Sequence, residues 1–560
     1  MRRYLALLLV LGLAAMACTT AGTSTEGVEE GRTDGDVKDP QASVAESVGW
    51  RSRACDLPPR YLELIDRGTF AGRSPELMVV PAKPNFFGSF AVTSHSGPWA
   101  YLQRVPLVLY GPGHIQGHGA LRLERETTVA DLAPTLAELL GIDWPADRSG
   151  ASISEALVPE GDRPAPPKAI LVVVWDGGGW NALNQWPKAW PNLKRIMRRG
   201  TSVENAVVGS SPSVTPAVHA TMGTGTWPVQ HGVVDLQWRT PAGAVQGSYD
   251  GEKPALMRVP TLADIYDPTT NNAAKIGMLA ERNWHMGMIG HGASLEGGDK
   301  DIMVLGSGAG EENYTNDDFY TLPKYIDVPG AAKDVRAVDL EDGRLDDTWL
   351  GHDLLGDPER WRQTPVQTRY QTRQIKAIFR RGGFGQDGIT DLFYTNYKEL
   401  DLVGHIYNMV NPESRSVLKQ TDSELGELLK FLDNHVGQNE WVVAVTADHG
   451  QGPDPMQFGA WPIDSAEISR DAARRFDVAS TDLFDKMRIT GFWMNTDVMD
   501  EQGITLGEVA RWVTNYRLRD NVVKGETVPK QYRKRLSERL FAASFPTKEL
   551  PGIIGCAQEP

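Results

Sequence analysis

Short runs of Val, Ile, Leu and aromatic residues constrain this chain more than any other feature. The clearest are Leu77–Val80, Val105–Tyr110, Ile170–Trp175, Leu392–Tyr397 and Trp441–Thr446; they run into Gly or Asp and alternate with helical patterns. Strands of a parallel α/β sheet read this way, because helices cover both faces and leave no polar side to the strand. The spacing predicts helices over Thr128–Leu140, opened by polar residues and closed by Gly141, and over Ser414–Val436. Pro159, Pro164, Pro166 and Pro167 mark residues 157–169 as a linker. Residues from about 236 to 388, rich in Gly, Asn, Asp and Trp, read as an insertion over one end of the sheet. A chain of 560 residues has room for one large α/β domain with insertions, or for two domains.

In an open parallel sheet, ligands gather beyond the carboxyl ends of the strands. Asp176 directly follows Ile170–Trp175, Asp401 and His405 follow Leu392–Tyr397, and Asp448 and His449 follow Trp441–Thr446. A spacing of four sets Asp401 and His405 on one side of a helical turn. Taken singly, an Asp at a strand end is an ordinary cap or turn residue. Carboxylates mixed with imidazoles at three strand ends suit zinc or a similar divalent cation. The formal charge of -15 argues against nucleic acid or an anionic membrane surface as the main partner. An anionic substrate would then be held by divalent cations inside an acidic protein.

The first 18 residues read as an export signal: Arg2 and Arg3, an apolar stretch from Tyr4 to Ala15, and Cys18 after Ala15-Met16-Ala17. A Cys at that point resembles a bacterial lipoprotein signal, which implies lipidation of Cys18 and a cell-envelope location; ordinary secretion is the other reading. Residues 19–54, polar and poor in apolar groups, then serve as a solvated tether. Only Cys55 and Cys556 remain, and an even pair in an oxidising compartment is more often bridged than free.

Three stretches resemble the alkaline phosphatase superfamily, in particular its nucleotide pyrophosphatase and phosphodiesterase branch. They are Val172-Val173-Val174-Trp175-Asp176-Gly177; Pro212-Ser213-Val214-Thr215-Pro216-Ala217-Val218-His219 leading to Gly223-Thr224-Gly225 and His231-Gly232; and Asp401-x-x-Gly404-His405 followed by Thr446-Ala447-Asp448-His449-Gly450. The resemblance implies an α/β fold with a central, mostly parallel sheet flanked by helices, and two divalent metals, usually zinc. Asp176, Thr215, Asp448 and His449 would hold one metal, and Asp401 and His405 would begin the other. The last His of the family's second site lies after its Asp-His pair, and no His follows His449 here. Residues 92–99, 105–113 and 129–142 instead resemble the family's C-terminal segment, with His95 at the position of that ligand. The resemblance therefore implies a circular permutation: 55–156 is the C-terminal part of the core moved forward, 157–169 joins it, and 170–560 is the main catalytic core. A Cys55–Cys556 disulfide would then restore the parent chain's continuity.

By the same resemblance Thr215 is the nucleophile and passes through a phospho-threonine, and the substrate is a small phosphate ester. The family's phosphate-binding Asn is replaced by Leu236, with Gln237 or Arg239 as substitutes, and in the family's Lys-x-Arg clamp Ala280 stands for the Lys while Arg282 is kept. Loss of that cation tilts the expectation towards singly charged diesters or pyrophosphate bonds. An alkaline phosphomonoesterase or a phosphonate hydrolase is the alternative, and a non-catalytic, metal-containing surface lipoprotein is the alternative of another class. A sulfatase does not fit Thr215-Pro216-Ala217-Val218. His219 and His231 are expected to be structural, and His285, His291, His352 and His435 bystanders.

Overall fold

In the computed structural model the described residues are 49–558, apart from 89–90, 96, 307–311, 327–329, 357, 480–481 and 490. The leader, Cys18 and most of the tether lie outside them. Residues 50–54, read as the end of the tether, belong instead to the helix Trp50–Cys55, whose Ala54 is fully buried.

Strand Ala169–Trp175 is the axis of the molecule. It is apolar throughout, lies parallel to Asp391–Tyr397 on one side and to Trp441–Thr446 on the other, and all its residues are buried. Because successive side chains leave a strand on opposite faces, Ile170, Val172 and Val174 enter one hydrophobic core while Leu171, Val173 and Trp175 enter another. The first core is covered by Leu132–Leu140 and Leu262–Thr269, the second by Pro191–Arg199, Pro365–Gly382 and Pro412–His435. Full burial of each such Val or Ile stabilises the fold by about 1.5–3 kcal/mol. Helix Leu132–Leu140 stops where the sequence says it should, at Gly141, whose φ of 71° is left-handed.

Eight strands form the central sheet, in the order Ile302–Leu305, Ile276–Ala280, Asp391–Tyr397, Ala169–Trp175, Trp441–Thr446, Leu107–Tyr110, Thr201–Val203, Gly119–Leu121. It is mostly parallel, and Leu107–Tyr110 is the exception, antiparallel to both of its neighbours. Two expectations change here. Ile276–Ala280 and Ile302–Leu305 fall inside the stretch read as an inserted cap, yet they are parallel strands of the sheet, so that stretch is in part core. Leu77–Val80 is not in the central sheet: Leu77–Pro81 lies antiparallel between Gly491–Met494 and Phe541–Pro546 in a second, four-stranded sheet. One face of that strand packs on helix Leu506–Asn515, and the other on the helices Trp50–Cys55, Pro59–Arg67 and Leu550–Gln558. The two ends of the described chain meet there, and Cys55 and Cys556 form a disulfide with Cα atoms 5.6 Å apart across 501 positions. Among the described residues no helix is long and apolar enough to cross a membrane.

Candidate active site

The carboxyl ends of the three central parallel strands converge. Asp176 follows Trp175, Asp448 and His449 lie just past Thr446, and helix Glu399–Tyr407, starting two residues after Tyr397, carries Asp401 and His405 one turn apart. All three carboxylates and His449 are buried. His449 Nε2 lies 3.5 Å from Asp176 Oδ1, 3.5 Å from Asp448 Oδ2 and 3.8 Å from Asp401 Oδ1. His95 arrives from the other end of the sequence: its Nε2 is 3.9 Å from Asp401 Oδ1, where His405 Nε2 is at 3.4 Å, and its ring stacks on that of His449.

The tautomers follow from the partners. His95, His405 and His449 each donate an Nδ1–H to a backbone carbonyl, that of Ser213 at 2.9 Å, Thr93 at 2.8 Å and Gly450 at 3.1 Å. Each thereby turns its Nε2 towards the carboxylates, the way an imidazole is oriented to ligate a cation. Asp401 Oδ1, Asp448 Oδ2 and His449 Nε2 are buried with no hydrogen-bond partner, which a folded protein rarely tolerates. His95, Asp401 and His405, and Asp176, Asp448 and His449, form two groups whose ligand atoms lie within 4.8 Å of one another. This donor set fits divalent cations.

Electrostatics separate the three acids. Burial raises a carboxyl pKa, but around Asp176 the ammonium of Lys398 and the nearby imidazoles outweigh it and hold the pKa well below the usual range. For Asp401 burial is likewise outweighed, here by His405 and Lys398. Asp448 goes the other way, raised by burial and by the Asp176 charge. Its Oδ1 accepts the Gly177 N–H at 3.0 Å while its Oδ2 stays unpaired. Burial keeps His95 and His449 below the ordinary imidazole value, in the neutral form a cation needs.

Thr215 opens helix Thr215–Thr224, with Pro216 in the first turn where its missing N–H costs nothing. The helix is buried along its whole length and packs tightly on residues 283–288: a Cβ at Gly223 would lie 2.0 Å from the Gly287 carbonyl oxygen. That approach brings the His285 ring against His219, centroids 4.8 Å apart. Thr215 Oγ1 faces the carboxylates and accepts a hydrogen bond from Lys398 Nζ at 3.0 Å.

His219 and His231, expected to be structural, are held by hydrogen bonds, and His219 also forms with Asp176 and His285 a third group whose ligand atoms lie within 4.8 Å of one another. His219 donates Nδ1–H to the Thr215 carbonyl and accepts from Asn396 Nδ2, while His231 accepts the Val233 N–H and bonds Thr221 Oγ1. Three residues escaped the sequence reading. Lys398 Nζ lies 2.9 Å from Asp176 Oδ1 and 2.7 Å from Asp401 Oδ2. Asn396 donates to Asp176 Oδ2 at 3.1 Å. His285, read as a bystander, is fully buried, donates Nδ1–H to the Arg282 carbonyl and aims an unpaired Nε2 at Asp176 Oδ2, 3.6 Å away. The available signal for two of them was the position of polar Asn396 and Lys398 at the ligand end of strand Asp391–Tyr397.

The proposed substrate-binding residues fare differently. Arg239 is bound to both carboxylate oxygens of Glu76, to Asp485 and to the Met494 carbonyl, beside the second sheet. Gln237 accepts from Arg488. Arg239 is thus committed to partners far away in sequence, and the amide oxygen of Gln237 is taken by Arg488. Arg282 follows strand Ile276–Ala280 at its ligand end, with its Nε 3.5 Å from Glu281 Oε1.

Comparisons with known proteins give the family and the fold. The family model described as type I phosphodiesterase / nucleotide pyrophosphatase matches residues 170–537, more than half of the chain. Alkaline phosphatase PhoV of Synechococcus elongatus is 22% identical over 371 residues, 57% of this chain and 65% of that protein. Alkaline phosphatase PafA of Elizabethkingia meningoseptica is 22% identical over 333 residues, 51% of this chain and 60% of the relative. The chain thus spans less than two thirds of the length of these relatives. A crystal structure of wild-type PafA superposes with a TM-score of 0.51 at 18% identity, over 63% of this chain and 76% of that one, and so shares its fold. On the family match and that shared fold, the chain belongs to the type I phosphodiesterase / nucleotide pyrophosphatase family, within the alkaline phosphatase superfamily.

Proposed function

We propose that the protein is an exported, metal-dependent phosphate-ester hydrolase with Thr215 as its nucleophile. The observation that carries this reading is the convergence of three oriented imidazole Nε2 atoms and three buried carboxylates beside Thr215 Oγ1. Asp176, Thr215, Asp448 and His449 would hold one divalent cation and Asp401, His405 and His95 a second, zinc by the mixed nitrogen and oxygen donors. Bound there, the cations would supply Lewis acidity and charge neutralisation.

Thr215 Oγ1 attacks phosphorus in line as its proton leaves to solvent. The new Oγ1–P bond forms as the bond to the leaving oxygen breaks, and that oxygen keeps the electron pair and takes a proton from water. Water then attacks the phospho-threonine and restores the hydroxyl. The Thr215 carbonyl, tied to His219 Nδ1, fixes the helix end that presents Oγ1. Asn396 fixes Asp176 by donating to its Oδ2.

Buried Ala280 supplies no cation for a second phosphoryl charge, and Gln237 and Arg239 are engaged elsewhere, which supports a preference for diesters or pyrophosphate bonds over monoesters. The permuted chain order belongs to the same reading. It is supported by His95 lying beside Asp401 and His405 across some 300 positions, and by the disulfide that joins the chain ends. Lipidation at Cys18 would anchor the enzyme to the cell envelope. The test is turnover of a chromogenic phosphodiester by the zinc-loaded protein, with Thr215→Ala reducing kcat by about 10³-fold or more while zinc stays bound. Full activity in Thr215→Ala removes the nucleophile assignment.

A further inference from the structure

Lys398 is out of place by every local rule. It caps the N-terminus of helix Glu399–Tyr407, where the helix dipole disfavours a cation, and its side chain is only 5% exposed. A buried ammonium persists only where charges and acceptors hold it. Here Asp176 Oδ1 at 2.9 Å, Asp401 Oδ2 at 2.7 Å and Thr215 Oγ1 at 3.0 Å use all three of its N–H donors. Asp176 belongs to one ligand group, Asp401 to the other, and Thr215 is the proposed nucleophile, so one side chain touches both halves of the site and the reacting atom.

We infer that Lys398 is a built-in counter-ion that competes with the cations for Asp176 and Asp401 and thereby couples metal loading to the presentation of Thr215; this rests on the two-metal reading above. With the site empty, the ammonium neutralises the two carboxylates it touches and pins Oγ1. With a divalent cation on the same carboxylates, the ammonium would be repelled from them and would keep Thr215 Oγ1 and the phosphoryl oxygens of a bound ester as acceptors. Lys398 thus holds the empty site together at the cost of weaker cation binding. It also limits occupancy at low cation concentration.

The test compares wild type with Lys398→Met, which keeps the length of the chain and removes its charge, and with Lys398→Gln, which also keeps a hydrogen-bond donor. Each protein is loaded with zinc and then titrated with a chromogenic chelator, so a variant that folds only when loaded is still scored. Both variants are expected to hold zinc at least about tenfold more tightly than wild type, and zinc is expected to raise their melting temperature by more than it raises that of wild type. Equal or weaker zinc retention in both variants overturns the inference, as does an unchanged zinc-induced shift in melting temperature, the result for a merely structural Lys. Wild type that binds no zinc at all would instead overturn the two-metal reading itself.

Discussion

Two groups of three aspartates sit at the ligand end and at the edge of the same sheet, in surroundings of opposite charge. Asp176, Asp401 and Asp448 surround a buried ammonium and three imidazoles. Asp267, at the end of helix Leu262–Thr269, meets Asp299 and Asp301 just before edge strand Ile302–Leu305, with ligand atoms within 4.8 Å. Among the described residues no Lys, Arg or His forms an ion pair with that second trio, and the buried Asp267 Oδ1 has no hydrogen-bond partner. Burial and then the charge of Asp299 push the Asp267 carboxyl up to about 7, and burial with its acidic neighbours raises Asp301 as well. The same residue type is held towards the anion at Asp176 and Asp401 and pushed towards the protonated form at Asp267 and Asp301. What differs is the neighbours, and within the first trio Asp448, which Lys398 does not touch, already behaves like the second.

The comparison breaks most visibly if the first trio proves dispensable. Asp176→Ala should lower phosphodiester turnover by about 10³-fold or more and release bound zinc, read by steady-state kinetics and metal analysis. Turnover within tenfold of wild type would put Asp176 on a level with the edge trio. His95→Ala should cost on the order of 10²-fold in turnover and empty one of two cation sites, since it removes one of the three oriented Nε2 atoms. Two equivalents of zinc in that variant would detach the 55–156 segment from the site.

A smaller effect separates the site from the chain ends. Replacing Cys55 and Cys556 by Ser removes a 501-residue loop closure and should cost roughly 3–5 kcal/mol, less than the about 6 kcal/mol of the chain-entropy model, which overstates most disulfides. Turnover at 25 °C should stay within about twofold, because the disulfide lies beside the second sheet and touches neither trio. A large loss of turnover with unchanged stability would contradict this.

The smallest effect sharpens the contrast. A carboxyl whose folded pKa is raised from 3.8 to about 7 stabilises the fold fully below the unfolded value, and that contribution is lost as pH rises through about 7. Asp267→Asn should therefore flatten the decline in melting temperature between about pH 4 and pH 8, raise it slightly at pH 8, and leave turnover within twofold. An unchanged slope means Asp267 is ionised throughout.

Much of the ligand end was legible, since the runs Ile170–Trp175, Leu392–Tyr397 and Trp441–Thr446 and the Asp and His residues that close them are local patterns. Strand direction and sheet membership were not: the same apolar run serves a parallel or an antiparallel neighbour, so Leu107–Tyr110 and Leu77–Pro81 read alike and ended in different sheets. Gln237 and Arg239 looked available because Arg488 and Glu76, which engage them, lie 251 and 163 positions away.

The sequence by itself determined which residues are apolar enough to form the central strands and which polar groups those strands deliver to one end, because strand period and strand termini depend on neighbours a few positions away. Only the tertiary structure decided which charges meet there. Lys398 bonds Asp176 across 222 positions, and His285 reaches it through a helix packed on Gly223. A buried charge is fixed by what surrounds it in space, and chain order carries no direct record of that.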